Sequence, residues 1–208
     1  MQIAILTFDG FNELDSFVAS AILNRMRSKG WKASITCPTA QVTSMNGVTI
    51  QAEQSLDFAA SADAVLIGSG MKTREVVRDR SVLDQIRLDP MRQLIGAQCS
   101  GALLLAKLGW IGEGPVCTDL TTKPWAIEAG VRVLEKPFHA EGHIATAGGC
   151  LASQYLAAWV LAKLGSEDDA RAAIHYVAPV GEKESYVARA MEVVLGGGLP
   201  AFRTGVRC

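Results

Sequence analysis

Residues 93–109 constrain this chain more than any other stretch, because Gln93-Leu94-Ile95-Gly96-Ala97-Gln98 reads as a buried strand and residues 100–109 read as the helix leaving it. Cys99 sits in the turn between them. A sharp strand-to-helix turn pushes its side chain out above the sheet. The free backbone N–H groups and positive dipole end of the helix favour a thiolate there. Gly96, Ala97 and Gly101 allow the backbone to turn tightly and a substrate to come close, which favours a functional cysteine over a small hydrophobe that ends a strand.

The same rhythm runs through the chain. Residues 2–8 form a short apolar run closed by Asp9-Gly10, after which Asn12 or Asp15 begins a helix continuing to Arg27. Residues 31–37 alternate as a second strand, and Asn46-Gly47 within residues 41–51 marks a small antiparallel hairpin. Ala64-Val65-Leu66-Ile67 shows no polar alternation, as expected of a strand covered on both faces, and opens into Gly68-Ser69-Gly70. One helix is expected to carry Val76, Val77, Val82, Leu83 and Ile86.

Further strands are expected at 131–134 and 143–147, and helices at about 150–164, 168–177 and 183–195, with an irregular tail from Gly196 packed on a partner subunit. Alternating strands and helices imply an α/β fold, a mainly parallel sheet with helices on both faces. Ligands in such folds bind at the carboxyl ends of the strands, so the turns at 9–15, 68–71 and Cys99 converge on one site.

At 208 residues and 49% hydrophobic content, one domain spanning residues 1–208 is expected. A net charge of -1 with interspersed signs gives no footprint for nucleic acid or a membrane surface. No apolar run approaches a membrane span and the first residues lack a signal peptide, so a cytoplasmic protein is expected. Cys37, Cys99, Cys117, Cys150 and Cys208 have no paired spacing, hence free thiols are expected, with neither a disulfide framework nor a zinc site signalled. No phosphate loop or metal-ligand spacing appears, and no cofactor or metal is expected.

Several motifs together resemble the ThiJ/PfpI superfamily, also called DJ-one, over nearly the whole chain. They are Phe8-Asp9-Gly10-Phe11 with Leu14-Asp15, Gly68-Ser69-Gly70, Ala97-Gln98-Cys99-Ser100-Gly101, Thr121-Thr122-Lys123-Pro124-Trp125 and Ala145-Thr146-Ala147-Gly148-Gly149. The resemblance implies a flavodoxin-like three-layer sandwich with a cysteine nucleophile elbow, and a homodimer. Asp15 matches the family's acidic residue facing the cysteine. With Cys99-Ser100-Gly101 it looks most like the isocyanide hydratase branch, in which a small electrophilic isocyanide is hydrated to an N-formamide through a thioimidate on Cys99.

The catalytic residues then expected are Cys99, Asp15 and Ser100, with Gly70, Ser100, Thr122 and Lys123 around the substrate. The N–H groups of Gly70 and Ser100 are expected as an oxyanion-type donor pair, with a loop glycine at positive φ as the equal alternative for Gly70, while the Ser100 side chain is read first as a helix cap. A carboxyl beside a thiolate should have its pKa raised by that charge and by burial. Lys123 stands where the family's Thr-Thr-His-Pro stretch carries histidine, so that position offers no Cys-His dyad, and the lysine is read as an exposed side chain sooner than as one that lowers the thiol pKa.

His139 and His143 flank a predicted hairpin and His175 lies on a late helix, where surface or satisfied positions are expected. Cys150 after Gly148-Gly149 is read as a small core residue sooner than as a second reactive thiol, and Trp110, Trp125 and Trp159 as packing residues. Two rival functions stand beside the hydratase: a non-enzymatic cysteine sensor or ligand-binding protein, and a glyoxalase or deglycase-like enzyme.

Overall fold

The computed structural model describes residues 1–112 and 114–196. Its elements, in chain order, begin with β1 (Gln2–Leu6), α1 (Glu13–Leu23), β2 (Lys32–Cys37), β3 (Gln41–Thr43), β4 (Thr49–Gln51), β5 (Gln54–Ser55) and β6 (Ala64–Ile67). There follow α2 (Thr73–Val76), α3 (Arg80–Leu83), β7 (Leu94–Gln98), α4 (Gly101–Lys107), β8 (Val116–Cys117), α5 (Lys123–Glu128), β9 (Val133–Leu134), β10 (Phe138–Glu141) and β11 (Ile144–Ala147). Three long helices close the chain: α6 (Ser153–Leu164), α7 (Glu167–Val177) and α8 (Lys183–Leu195).

Seven strands form one sheet in the order β10-β11-β7-β6-β1-β2-β5. All pairings are parallel except that of β10 with β11. Successive residues of a strand point to opposite faces, so each buried strand feeds two cores. Ile3 and Ile5 face the layer of α1, α6, α7 and α8, where Trp159 is fully buried. Ala4 and Leu6 face the other side, with Val65, Ile67, Ile95, Leu104 and Leu105. The chain is a three-layer α/β sandwich of the expected flavodoxin-like kind.

Several elements differ from the reading of the sequence. The helix expected across Val76 to Ile86 is two short pieces, α2 and α3. Asp79 takes an extended backbone and its side chain accepts from the Ser81 N–H at 2.9 Å, capping a new helix instead of continuing the old one. The first helix ends at Leu23 and residues Asn24–Lys29 tighten into a 3₁₀ turn. The 131–134 segment is not a strand of the main sheet; β9 pairs in parallel with β8 in a separate two-stranded ribbon. The Asn46-Gly47 turn joins β3 and β4 as an antiparallel hairpin, and the expected irregular tail lies outside the described residues beyond Gly196.

Candidate functional site

Cys99 follows β7 with φ +47°, the one residue other than glycine with a positive φ among the described residues. Such a conformation costs an L-residue of order 1–3 kcal/mol and persists only where the surroundings over-determine it. Here its N–H donates to the Ala147 carbonyl at 2.8 Å, and its own carbonyl accepts from Thr118 Oγ1 at 2.8 Å. The helix behind it starts against the end of β6: a Cβ on Gly101 would lie 2.7 Å from the Ile67 carbonyl oxygen and 2.8 Å from that of Gly68. Only glycine lets α4 begin there. Its Ala102 and Leu103 N–H groups turn back onto the carbonyls of Cys99 at 3.2 Å and Ser100 at 3.0 Å, which tightens the start of the helix around the elbow.

Asp15 comes to the same place from α1. Asn12 caps that helix, its side chain accepting from Leu14 N–H at 3.1 Å, which sets Asp15 in the first turn. The Asp15 side chain is buried, with 2% of the residue exposed. Ser69 Oγ donates to Asp15 Oδ2, while Oδ1 has no hydrogen-bond partner. Ser69 thus holds the carboxyl of Asp15 in place.

Cys150, at the turn ahead of α6, is the third member. A carboxylate oxygen of Asp15 and the sulfurs of Cys99 and Cys150 lie within 4.8 Å of one another. Asn12 Nδ2 donates to Cys150 Sγ at 3.1 Å, and Gln98 Nε2, held by the Gly149 carbonyl at 2.7 Å, lies 3.5 Å from Cys99 Sγ. The reading of Cys150 as a core residue is corrected: it is half-buried and belongs to the site. Gly148-Gly149 after a strand was the signal for it, the same kind of small-residue turn that marked Cys99.

The electrostatics also differ from expectation. Burial, more than any charge, raises the Asp15 pKa to about 6, with the Ser69 hydrogen bond and the nearby thiols pulling it back and Asp119 pushing it up. The Cys99 thiol is not lowered but pushed far above its ordinary value, first by burial, then by the negative charges of Asp15 and Asp119. The helix dipole does not overcome that desolvation. Lys123 does not offset it, because its ammonium pairs with Glu135 Oε1 at 2.6 Å. Thr122 is buried and fixes Asp119, donating to its carboxylate from Oγ1 at 2.6 Å and from N–H at 2.9 Å. Asp119 and Thr118 were missed in the sequence, while Asn12 was read only as a helix start and Gln98 only as part of the elbow motif, not as partners of the thiols.

Ser100 occupies the N-cap position of α4 but makes no capping bond with its side chain, so the capping reading is corrected. Its Oγ instead lies 2.8 Å from Thr73 Oγ1 and accepts from the Gly70 N–H at 3.3 Å. This ties the loop after β6 to the elbow. The Gly70 N–H is therefore directed at Ser100 and is freed for an oxyanion only if that long contact opens. Glycine is needed here for close approach and not for a positive φ: a Cβ would lie 2.4 Å from the Gly10 carbonyl oxygen.

No histidine reaches the thiols. His143 Nδ1 lies 2.8 Å from the Pro90 carbonyl and His175 is 3.5 Å from Glu184. His139 lies on β10 beside Trp110 in a separate cleft of about 260 Å³, its Nε2 buried without a partner. An open depression of about 380 Å³ adjoins Cys150, lined also by Pro137, Gly149, Leu151 and Tyr155. Four features meet at the strand ends: a strained thiol, a buried carboxyl, a second thiol and a helix start.

Comparison with known proteins agrees with this architecture. The chain resembles DJ-1 of Schizosaccharomyces pombe with TM-score 0.71 at 18% identity, covering 86% of this chain and 100% of that one. DJ-1beta of Drosophila melanogaster gives 0.73 at 20% identity, over 85% of this chain and 96% of that one. A ThiJ/PfpI family protein of Pseudomonas syringae gives 0.72 at 19%, over 93% and 87%. No curated protein matches significantly in sequence. At such identities the structures establish the fold, and the sequence profile establishes the family: residues 1–163 match the DJ-1/PfpI family, and the chain belongs to it.

Proposed function

We propose that the protein is a cysteine-dependent enzyme that hydrates small organic isocyanides to N-formamides. The observation that carries this reading is Cys99 held at φ +47° beside a buried carboxyl. The superfamily contains cysteine-dependent enzymes and stress sensors, and the choice among them rests on the site.

With Cys99 a neutral thiol and Asp15 titrating at about 6, the pair at neutral pH is a carboxylate facing a thiol. Asp15 takes the thiol proton as the sulfur attacks the terminal carbon of the isocyanide, then gives that proton to the same carbon. The product is a thioimidate, R–N=CH–S–Cys99. Water adds to its carbon and the sulfur leaves with a proton, giving R–NH–CHO and the free thiol. The Ser100 N–H, joined by that of Gly70 once its 3.3 Å contact with Ser100 Oγ opens, stabilises charge on the reacting atoms. Asp15 is thus base before it is acid, the reverse of a thiolate already formed and a carboxylic acid waiting.

Ser69 orients Asp15, and Ser100 holds the Gly70 loop. Thr122 acts through Asp119 and Lys123 is paired with Glu135, so their parts are positional. A glyoxalase or deglycase reading lacks a histidine beside Cys99 among the described residues. Sensing by oxidation is disfavoured because a burial-raised thiol has little thiolate character. No described helix is long and apolar enough to cross a membrane. The free cysteines support a reducing, cytoplasmic setting, and the chain is read as a homodimer.

The test is formamide production from an aryl isocyanide. Wild type turns over, Cys99→Ala does not, and Asp15→Asn loses about 10²-fold or more in kcat/KM, the usual worth of a general base. Unchanged turnover in Cys99→Ala overturns the reading.

A further inference from the structure

Asp15, Cys99 and Cys150 come from three loops far apart in sequence, yet one donor atom from each lies within 4.8 Å of the others. Two thiols and a carboxylate are the donor set of a thiophilic divalent cation. Each is steadied by one neutral hydrogen-bond donor: Ser69 Oγ on Asp15 Oδ2, Asn12 Nδ2 on Cys150 Sγ and Gln98 Nε2 toward Cys99 Sγ. Metal ligands are commonly fixed in this way by a surrounding shell.

Two further observations point to a cation. Asp15 Oδ1 is a buried carboxylate oxygen, on a residue 2% exposed, with no donor near it except the two thiols. Asp119 adds a further negative charge nearby, yet none of the side-chain partners of the three ligands is lysine, arginine or histidine among the described residues.

We propose that Asp15, Cys99 and Cys150 form a binding site for a zinc-class divalent ion, with three protein ligands and a fourth position open to water or a small ligand. Zinc bonds of about 2.3 Å to sulfur and 2.0–2.2 Å to oxygen place neighbouring donors of a tetrahedral set roughly 3.5 Å apart, so a spread of at most 4.8 Å closes by no more than about 1.3 Å. Binding replaces two S–H bonds by two metal–sulfur bonds and releases two protons. Magnesium and calcium, which want oxygen ligands, are rejected by the sulfurs. Because Cys99 is also the proposed nucleophile, the ion inhibits hydration reversibly.

The experiment titrates the dialysed chain with Zn²⁺ against a chromophoric chelator, and with Co²⁺ followed by absorption. One ion per chain is expected, with thiolate-to-Co²⁺ charge-transfer bands. Affinity should fall at least tenfold in Cys150→Ser and in Asp15→Asn, and the bands should vanish in Cys99→Ala. Alkylation mapping on the wild-type chain keeps the test independent of how the variants fold: Zn²⁺ should protect Cys99 and Cys150 together. Absence of binding, binding unaltered by loss of either thiol, or unprotected alkylation overturns the site. These readouts use no substrate, so a chain that hydrates isocyanides yet binds no Zn²⁺ overturns this inference and leaves the hydratase standing.

Discussion

A carboxyl group buried at position 15 has a cost that depends on pH. Its pKa rises from 3.8 in the unfolded chain to about 6 in the fold, so the folded state holds the proton more tightly. The sign follows from linkage: the contribution is fully present below about pH 4, is lost as pH rises through about 6, and is flat above that. Melting curves should therefore show wild type losing stability relative to Asp15→Asn across that interval. Parallel curves would contradict the burial of the charge. Catalysis runs the other way, since the ionised form takes the thiol proton: kcat/KM should increase with pH through an apparent value near 6, and this step should be absent in Asp15→Asn. Cys99 was legible because it sits at a patterned strand end, and Asp15 because Leu14-Asp15 resembles the family's motif after the first strand. Asp119 and Asn12 were not, since what makes them part of the site is proximity across loops at positions 12, 15, 99, 119 and 150.

Short elements carry the site, and they were the hardest to read. The apolar runs of β1, β6 and β7 announce themselves because both faces are covered, and α6 to α8 because they are long. α2 and α3 did not, because Val76, Val77, Val82 and Leu83 keep an apolar count consistent with one helix while Asp79 caps a second. The loop between β6 and α2 has less freedom than its glycines suggest. Gly70→Ala puts a Cβ 2.4 Å from the Gly10 carbonyl oxygen and should destabilise the fold by about 1–3 kcal/mol, read as a lower urea midpoint. Its catalytic loss should exceed its stability loss, because the same loop carries Ser69 against Asp15. An alanine accepted without change in midpoint would show that the Gly10 and Gly70 backbones do not pack so closely.

The whole molecule leaves apolar side chains exposed beside the site. Leu14 and Phe17 lie three residues apart on α1, 47% and 38% exposed, with Leu151 at 60% just after Cys150. On the homodimer reading this face meets a second copy of the chain, and light scattering should give a dimer of the 22.1 kDa chain that Leu14→Arg with Phe17→Arg converts to monomer. A wild-type monomer would contradict that assembly. The net charge of -1 gave no footprint for nucleic acid, but the identity of the pocket walls required the fold. The central claim is that Cys99 attacks substrate carbon, and the most direct measurement is the intact mass of the chain quenched during turnover of an aryl isocyanide. A mass increase equal to one isocyanide, mapped to Cys99 and absent from Cys99→Ala, is predicted; formamide produced with no adduct on Cys99, or an adduct that survives Cys99→Ala, would contradict the account.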